Sequence, residues 1–393
     1  MPILPTTIPK DIDKYFFNRT KDLEELNTYI SLLRKDIPPQ ILVTGYRGVG
    51  KTFLLKKLLH DQEKDILTTY IDLSDIHGRE KGKLSEEEVI KEILNQINNT
   101  LIEQEIYNNT KDKITTYLEK LKIKDLKFNN NNTNIFDIPI PIIKDNYNKL
   151  SKFTMELPQK IIESNKNLKG YIIVIDEFQL LKYIKNPSAF FWLIRSYTQK
   201  QFNVSYIFTG SISRTSEVIT MINGMDGAFG GRMIQIAIQP FTYEETKQYL
   251  TKKAKELKFT KKGFERFYKC TRGIPTYINT LASILPNNID ENTIMEALNL
   301  NIDQIALLWL RVWGTLTDIE KEIIILITKL DKVNWTILNN ELKYSKSTIL
   351  KYIDLLSNKG IIEYTSQQEY ILSDIMLQTW LTIKYENEGH YPL

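Results

Sequence analysis

Residues 45–52 read Gly-Tyr-Arg-Gly-Val-Gly-Lys-Thr, a spacing that phosphate chemistry dictates. Gly45 and Gly50 let the backbone turn tightly, so that successive N–H groups through Tyr46, Arg47, Gly48 and Val49 converge on a β-phosphate. Lys51 is placed to reach the β and γ oxygens, and the Thr52 hydroxyl to ligate Mg²⁺. Phe53 follows in a helical pattern whose positive N-terminus faces the phosphates. A second group lies at 171–177, Tyr-Ile-Ile-Val-Ile-Asp-Glu. Asp176 is the expected direct or outer partner of the Mg²⁺, and Glu177 is placed to orient or deprotonate an attacking water. An acidic pair ending a strand can also be a solvated surface feature. Behind a phosphate loop, two adjacent acids point to hydrolysis of a nucleoside triphosphate.

Both groups need strands to hold them. The loop is preceded by Gln-Ile-Leu-Val-Thr at 40–44, entered through Pro38 and Pro39, and is followed by an apolar helix from 53 to 59. Five consecutive apolar residues at 171–175 suit a central parallel strand covered on both faces. Its two terminal acids would be costly in a core and so belong at the carboxyl edge of the sheet, near the loop. Further strands are expected at 67–73, 204–211 and 233–238, with helices at 20–34 and 188–200. Alternating strands and helices around such a loop predict an α/β fold, a P-loop NTPase parallel sheet with helices on both sides.

Between 75 and 169 the chain makes a long excursion. It holds helical patterns near 86–106 and 111–121, an Asn-rich tract at 128–134 read as a loop tip, and an extended piece marked by Pro139 and Pro141. Another helix leads to Gly170. The pattern from 242 to 299 is helical throughout, which suggests a lid. Helices at 317–330, 335–342 and 345–359, then a strand pair at 361–364 and 370–372, follow the winged-helix order. The expected division is therefore a core at 1–241 with its insertion at about 75–169, a helical lid at 242–314 and a winged helix at 315–393.

The composition excludes several classes. At 393 residues, with 42% hydrophobic and 25% charged residues, the chain reads as a globular protein of two or three domains. One cysteine, Cys270, excludes an intrachain disulfide, and three histidines speak against a zinc site. The N-terminus, with Pro2, Pro5 and Pro9, lacks the apolar stretch of a signal peptide, and no apolar run reaches membrane-spanning length. A cytoplasmic location is expected, with no membrane contact.

Taken in order, the motifs resemble the archaeal ATPase family of P-loop proteins, a branch of the STAND and AAA+ ATPases. The resemblance runs from Phe17-Asn18-Arg19 through the loop, Ile175-Asp176-Glu177-Phe178-Gln179, Phe208-Thr209-Gly210-Ser211, Phe229-Gly230-Gly231-Arg232, Pro240-Phe241 and Arg272-Gly273-Ile274-Pro275 to Tyr370-Ile371-Leu372-Ser373-Asp374 and Trp380-Leu381. It departs at the Asn-bearing excursion and at Arg232. The resemblance implies ATP and Mg²⁺ as ligands, with Asn18 and Arg19 near the base or ribose and Pro275 on the adenine side. Thr209 or Ser211, at a polar strand tip, would sense the γ-phosphate. Arg232 and Arg214 are candidates for a charge on the transferring phosphoryl group, and Arg232 could equally be a solvated surface residue.

Charge bears on the choice of partner. The net charge of +4 is small for this length. Residues 335–375 carry four basic and five acidic residues, a poor footprint for DNA. Within the would-be recognition helix Ile349, Tyr352, Ile353 and Leu356 form the core stripe, leaving Lys346, Leu350, Lys351 and Asp354 outward. Residues 244–272 carry ten basic and four acidic residues, the best nucleic-acid or partner patch on the chain. The leading expectation is an ATP-hydrolysing molecular switch that binds ATP or ADP and a protein partner or a second copy of itself. The rivals are a DNA-directed AAA+ ATPase and a low-turnover signalling scaffold.

Overall fold

The computed structural model describes residues 4–5, 7–80, 83–104, 147–305, 312–365 and 368–392, with backbone alone at 211–217, 303–305 and 358. The expected helix at 111–121, the Asn tract and the Pro139–Pro141 piece lie outside the described residues.

Five strands, β1 (Ile41–Gly45), β2 (Ile66–Asp72), β3 (Gly170–Asp176), β4 (Val204–Ser211) and β5 (Ile234–Ile238), form one sheet in the order β2-β3-β4-β1-β5. All its pairs are parallel. Parallel neighbours require crossovers, and these put helices on both faces. Successive side chains then enter different cores. Tyr171, Ile173 and Ile175 pack against helices Glu86–Glu103, Tyr147–Ser164 and Pro187–Thr198, while Ile172 and Val174 pack against Thr20–Ile30 and Lys51–His60. That is the physical origin of the unbroken apolar run.

Register brings the chemistry to one edge. Gly45 pairs with Ser211, Thr209 with Asp176, and Asp176 with Asp72. Because β4 lies between β1 and β3, Thr209 stands between the loop strand and the acidic strand. The chain leaves β3 abruptly. Glu177 adopts a left-handed conformation (φ 56°, ψ 35°) and opens a short 3₁₀ turn, Phe178–Tyr183. For a residue with a Cβ this costs about 1 kcal/mol, which the surrounding packing must offset.

The second half holds helices Tyr243–Lys253, Lys261–Thr271, Pro275–Ile284 and Glu291–Ile305. It is not helical throughout, because β6 (Lys258–Phe259) and β7 (Asn288–Ile289) form a short parallel pair. Two-residue strands have no periodicity to read. Helices Asp318–Leu330, Trp335–Glu341 and Lys346–Asn358 follow, together with an antiparallel sheet of order β8-β10-β9 built from Val333–Asn334, Glu369–Leu372 and Ile362–Tyr364. Ile349, Ile353 and Leu356 are buried and Leu350 is exposed. A final helix, Ile375–Glu388, buries Met376, Leu377, Trp380, Leu381 and Ile383. With so many sides covered it has no single apolar stripe to betray it. One continuous core runs from Tyr249 and Phe267 through Ile278, Leu298 and Trp313 to Ile353 and Trp380, straight across the expected boundary near 314. Among the described residues, no helix is long and apolar enough to cross a membrane.

Candidate nucleotide site

The loop leaves β1 and enters helix Lys51–His60 through Gly48 (φ 78°) and Gly50 (φ 99°), both left-handed. Gly48 is also pressed from outside. A Cβ there would lie 2.8 Å from Thr276 Oγ1, and the Gly48 carbonyl accepts from both the Thr276 N–H (3.2 Å) and its hydroxyl (3.1 Å). Lys51 is buried, and its ammonium donates to the carbonyls of Gly45 and Tyr46 at 3.0 Å each. Burial pulls its pKa down to about 8, against the opposing charges of Asp176 and Glu177.

Asp176 is 3% exposed and accepts three hydrogen bonds from its neighbours. Oδ2 accepts from the Thr52 hydroxyl at 2.8 Å and from the Tyr70 hydroxyl, and Oδ1 accepts from the Glu177 N–H at 2.7 Å. A buried anion needs such donors, and hydroxyl and carboxylate oxygens side by side form the hard donor set that suits Mg²⁺. Burial, and then the charge of Asp176, raise the pKa of Glu177. The Gln179 amide donates to Glu177, and Gln179 is itself 2% exposed.

A cavity of about 680 Å³ opens beside the loop. Arg47, Gly48, Val49, Gly50, Lys51, Thr52 and Glu177 line its polar end. Ile8, Phe16, Phe53 and Phe241 line an apolar part, where the rings of Phe16 and Phe53 meet edge to face at 5.7 Å. Pro275, first residue of its helix, lines the cavity too. Before it, Gly273 (φ 73°) lies so close to strand exit Phe241 that a Cβ would fall 1.7 Å from the Phe241 carbonyl oxygen.

The remaining sequence candidates divide. Arg19 lines the cavity, donates to the Val49 carbonyl at 3.0 Å and lies 4.8 Å over the Phe241 ring, and burial lowers its pKa. Asn18 donates instead to Glu245 of the lid at 2.6 Å and does not line the cavity, so its amide is taken by that carboxylate rather than offered to a base or ribose. Tyr46 faces away toward the C-terminal segment: burial, then the charge of Glu363, raise its pKa. Thr209 is fully buried, and its hydroxyl has no partner among the described residues. Ser211 closes β4 and Arg214 lies in helix Ile212–Asn223, but their side chains lie outside the described ones. Arg232 requires a correction. It is exposed and precedes β5, whose first residue Ile234 pairs with Ile41 at the start of β1. That puts it at the opposite edge of the sheet, four strand residues or about 13 Å from the loop, so it does not reach this chain's own site.

Motif reading missed Tyr70, Thr276, and Ser74 and His77 of helix Leu73–Arg79, which also line or support the site. Only Thr276 carried a usable signal, its place directly after the Gly-Ile-Pro turn.

Comparison with known proteins agrees with this geometry. A search of curated proteins returns no match. Among solved structures, a Walker-type ATPase of Pyrococcus abyssi is 18% identical with a TM-score of 0.67, covering 95% of this chain and 98% of that one. The ORC2 protein of Aeropyrum pernix, solved as ADPNP–ADP complexes, is 12% identical with a TM-score of 0.54, covering 96% and 98%. Both share the fold. The family model described as an ATPase domain predominantly from Archaea matches residues 16–281. With that match spanning the loop, the acidic strand and the lid turn, the chain belongs to this archaeal ATPase family of P-loop proteins, and it binds and hydrolyses ATP.

Proposed function

We propose that the chain is an ATP-driven molecular switch of the STAND type, acting in the cytoplasm, in which the lid carries the state of the phosphate loop to a regulatory C-terminal winged helix. One observation carries this reading. Thr276 holds the Gly48 carbonyl of the loop, and the next residue, Tyr277, donates its hydroxyl to the Asp374 carboxylate at 2.6 and 2.5 Å. Two adjacent lid residues thus grip the nucleotide loop on one side and the C-terminal segment on the other. Arg272, bonded to Asp331 at 2.8 Å, adds a second tie from lid to C-terminal segment.

The residue roles follow from chemistry. Backbone N–H groups of residues 45–52 and the Lys51 ammonium hold the phosphates. Thr52 and Asp176 would hold Mg²⁺, which supplies charge neutralisation at the β and γ oxygens. Glu177, lining the cavity with a raised proton affinity, takes the proton of the attacking water, and Gln179 holds its carboxylate. Thr209, or Ser211 at the same strand end, reads the γ-phosphate. Arg19, Phe16, Phe53 and Pro275 shape the nucleoside end. Arg232, on the far edge, is free to meet a second copy or a protein partner.

DNA is the weaker partner reading. The C-terminal module keeps its acidic balance, and part of the lid's basic set is occupied: Lys253 donates to the Lys14 carbonyl and Lys252 lies 5.8 Å over the Phe17 ring. Lys261 and Lys262 stay exposed. The test is Tyr277→Phe. It should alter ADP release about tenfold, the scale of one hydrogen bond to a charged group, and leave ATP affinity in place. Unchanged release would remove the relay.

A further inference from the structure

Tyr70 lies on β2, one row behind the strand tips, in register with Val174 of β3. Its ring packs in the core beneath the phosphate-loop helix, with Lys56 Nζ 5.0 Å from the ring centre. The hydroxyl crosses to β3 and donates to Asp176 Oδ2, the oxygen that also takes the Thr52 proton.

Counting acceptors shows what this bond does. A carboxylate offers about four acceptor positions. On Asp176, Thr52 and Tyr70 occupy Oδ2 and the Glu177 N–H occupies Oδ1, which leaves one position, on Oδ1. Without Tyr70 the Asp176 carboxylate would keep one bond on each oxygen and gain room to turn about its Cβ–Cγ bond. The Thr52 hydroxyl, whose proton points at Oδ2, would turn with it. With its O–H directed at Asp176, the Thr52 hydroxyl turns its lone pairs away from that carboxylate, where a cation can take them.

We infer that Tyr70 is a positioning residue for the divalent cation, and that by pinning Asp176 it sets how tightly the ATP-loaded site takes Mg²⁺. The inference rests on the reading of Thr52 and Asp176 as the cation-binding pair.

The test is Tyr70→Phe in the full chain, which keeps the ring and its packing and removes one hydroxyl. Protein loaded with a non-hydrolysable ATP analogue is titrated with Mn²⁺, read by its electron paramagnetic resonance, and with Mg²⁺ by calorimetry. The expected result is cation affinity lowered roughly tenfold, the scale of one charge-assisted hydrogen bond, with analogue affinity in chelator unchanged. In an Asp176→Asn background the same substitution should add almost nothing, because its charged partner is gone. Equal cation affinity in wild type and Tyr70→Phe would overturn the inference, as would an equal loss of analogue affinity in chelator, which marks a general packing defect. A wild-type protein whose analogue binding ignores both cations would overturn the Thr52–Asp176 reading itself, a distinguishable failure.

Discussion

The carboxyl edge of the sheet and the half of the molecule after residue 241 are built on different principles. At the sheet edge each buried charge takes several bonds: Lys51 gives to the carbonyls of Gly45 and Tyr46, and Asp176 accepts from the Glu177 N–H and from the hydroxyls of Thr52 and Tyr70. Each is held in part by backbone groups of its own strand or loop. Beyond residue 241, one apolar core joins lid and C-terminal segment, and polar side chains meet across long separations, as Tyr277 meets Asp374 and Asn18 meets Glu245. The difference teaches where chemistry and coupling reside. In the proposed switch, phosphate chemistry rests on buried charges that each take several bonds, whereas transmission depends on a few side-chain hydrogen bonds, each worth about 1–3 kcal/mol and therefore reversible.

The comparison breaks first if the local site fails. Lys51→Ala removes the ammonium bonded to the Gly45 and Tyr46 carbonyls and should abolish ATP binding by calorimetry, a loss of roughly a hundredfold or more. Glu177→Gln should retain ATP and cut turnover about a hundredfold in a single-turnover assay, since the water loses its base. Asp176→Asn should weaken binding only where Mg²⁺ is present. If both acid variants hydrolyse at the wild-type rate, the chemistry lies elsewhere.

Smaller effects sharpen the same contrast. Burial pulls the Lys51 pKa down to about 8, so above about pH 8 it is increasingly neutral. Nucleotide phosphates favour its charged form, and ATP binding near pH 9 should take up roughly one proton, visible as a buffer-dependent binding enthalpy. Binding below pH 7 should take up none at this group. In the other half, Glu363 is half-buried on the strand Ile362–Tyr364, and desolvation raises its pKa to about 7. A carboxyl raised in the folded state favours folding while protonated, and that advantage is lost as pH rises through 7. Glu363→Gln should therefore raise Tm by a few degrees at about pH 8 and have little effect at about pH 5. Equal Tm shifts at the two pH values would mean that Glu363 does not carry its charge into that sheet.

Legibility in the sequence follows the same divide. The loop, the acidic strand and the parallel strands of the sheet could be read because each rests on contiguous residues with a strict period or spacing. The stripe Ile349, Ile353 and Leu356 was legible for the same reason. The strands at 258–259, 288–289 and 333–334 were not, being two residues long, and neither was helix Ile375–Glu388. Tyr70 was invisible because its partner sits 106 positions away, and one tyrosine in a strand resembles any other. Arg232 was misplaced because a motif gives order along the chain, not which edge of a parallel sheet a residue occupies. Asn18 was placed near the nucleotide by the family resemblance, which carries no sign of Glu245, the residue that closes the capping box with Thr242 and takes the Asn18 amide.

The central claim is that nucleotide state travels from Gly48 through Thr276 and Tyr277 to Asp374. Hydrogen exchange of the full-length Glu177→Gln protein, compared with ATP and with ADP bound, tests it most directly. The account predicts nucleotide-dependent protection in helix Pro275–Ile284 and again in residues 369–388, with the second change lost in Glu177→Gln, Tyr277→Phe. Protection that changes only around residues 45–52, leaving 369–388 identical in both nucleotide states, would contradict it.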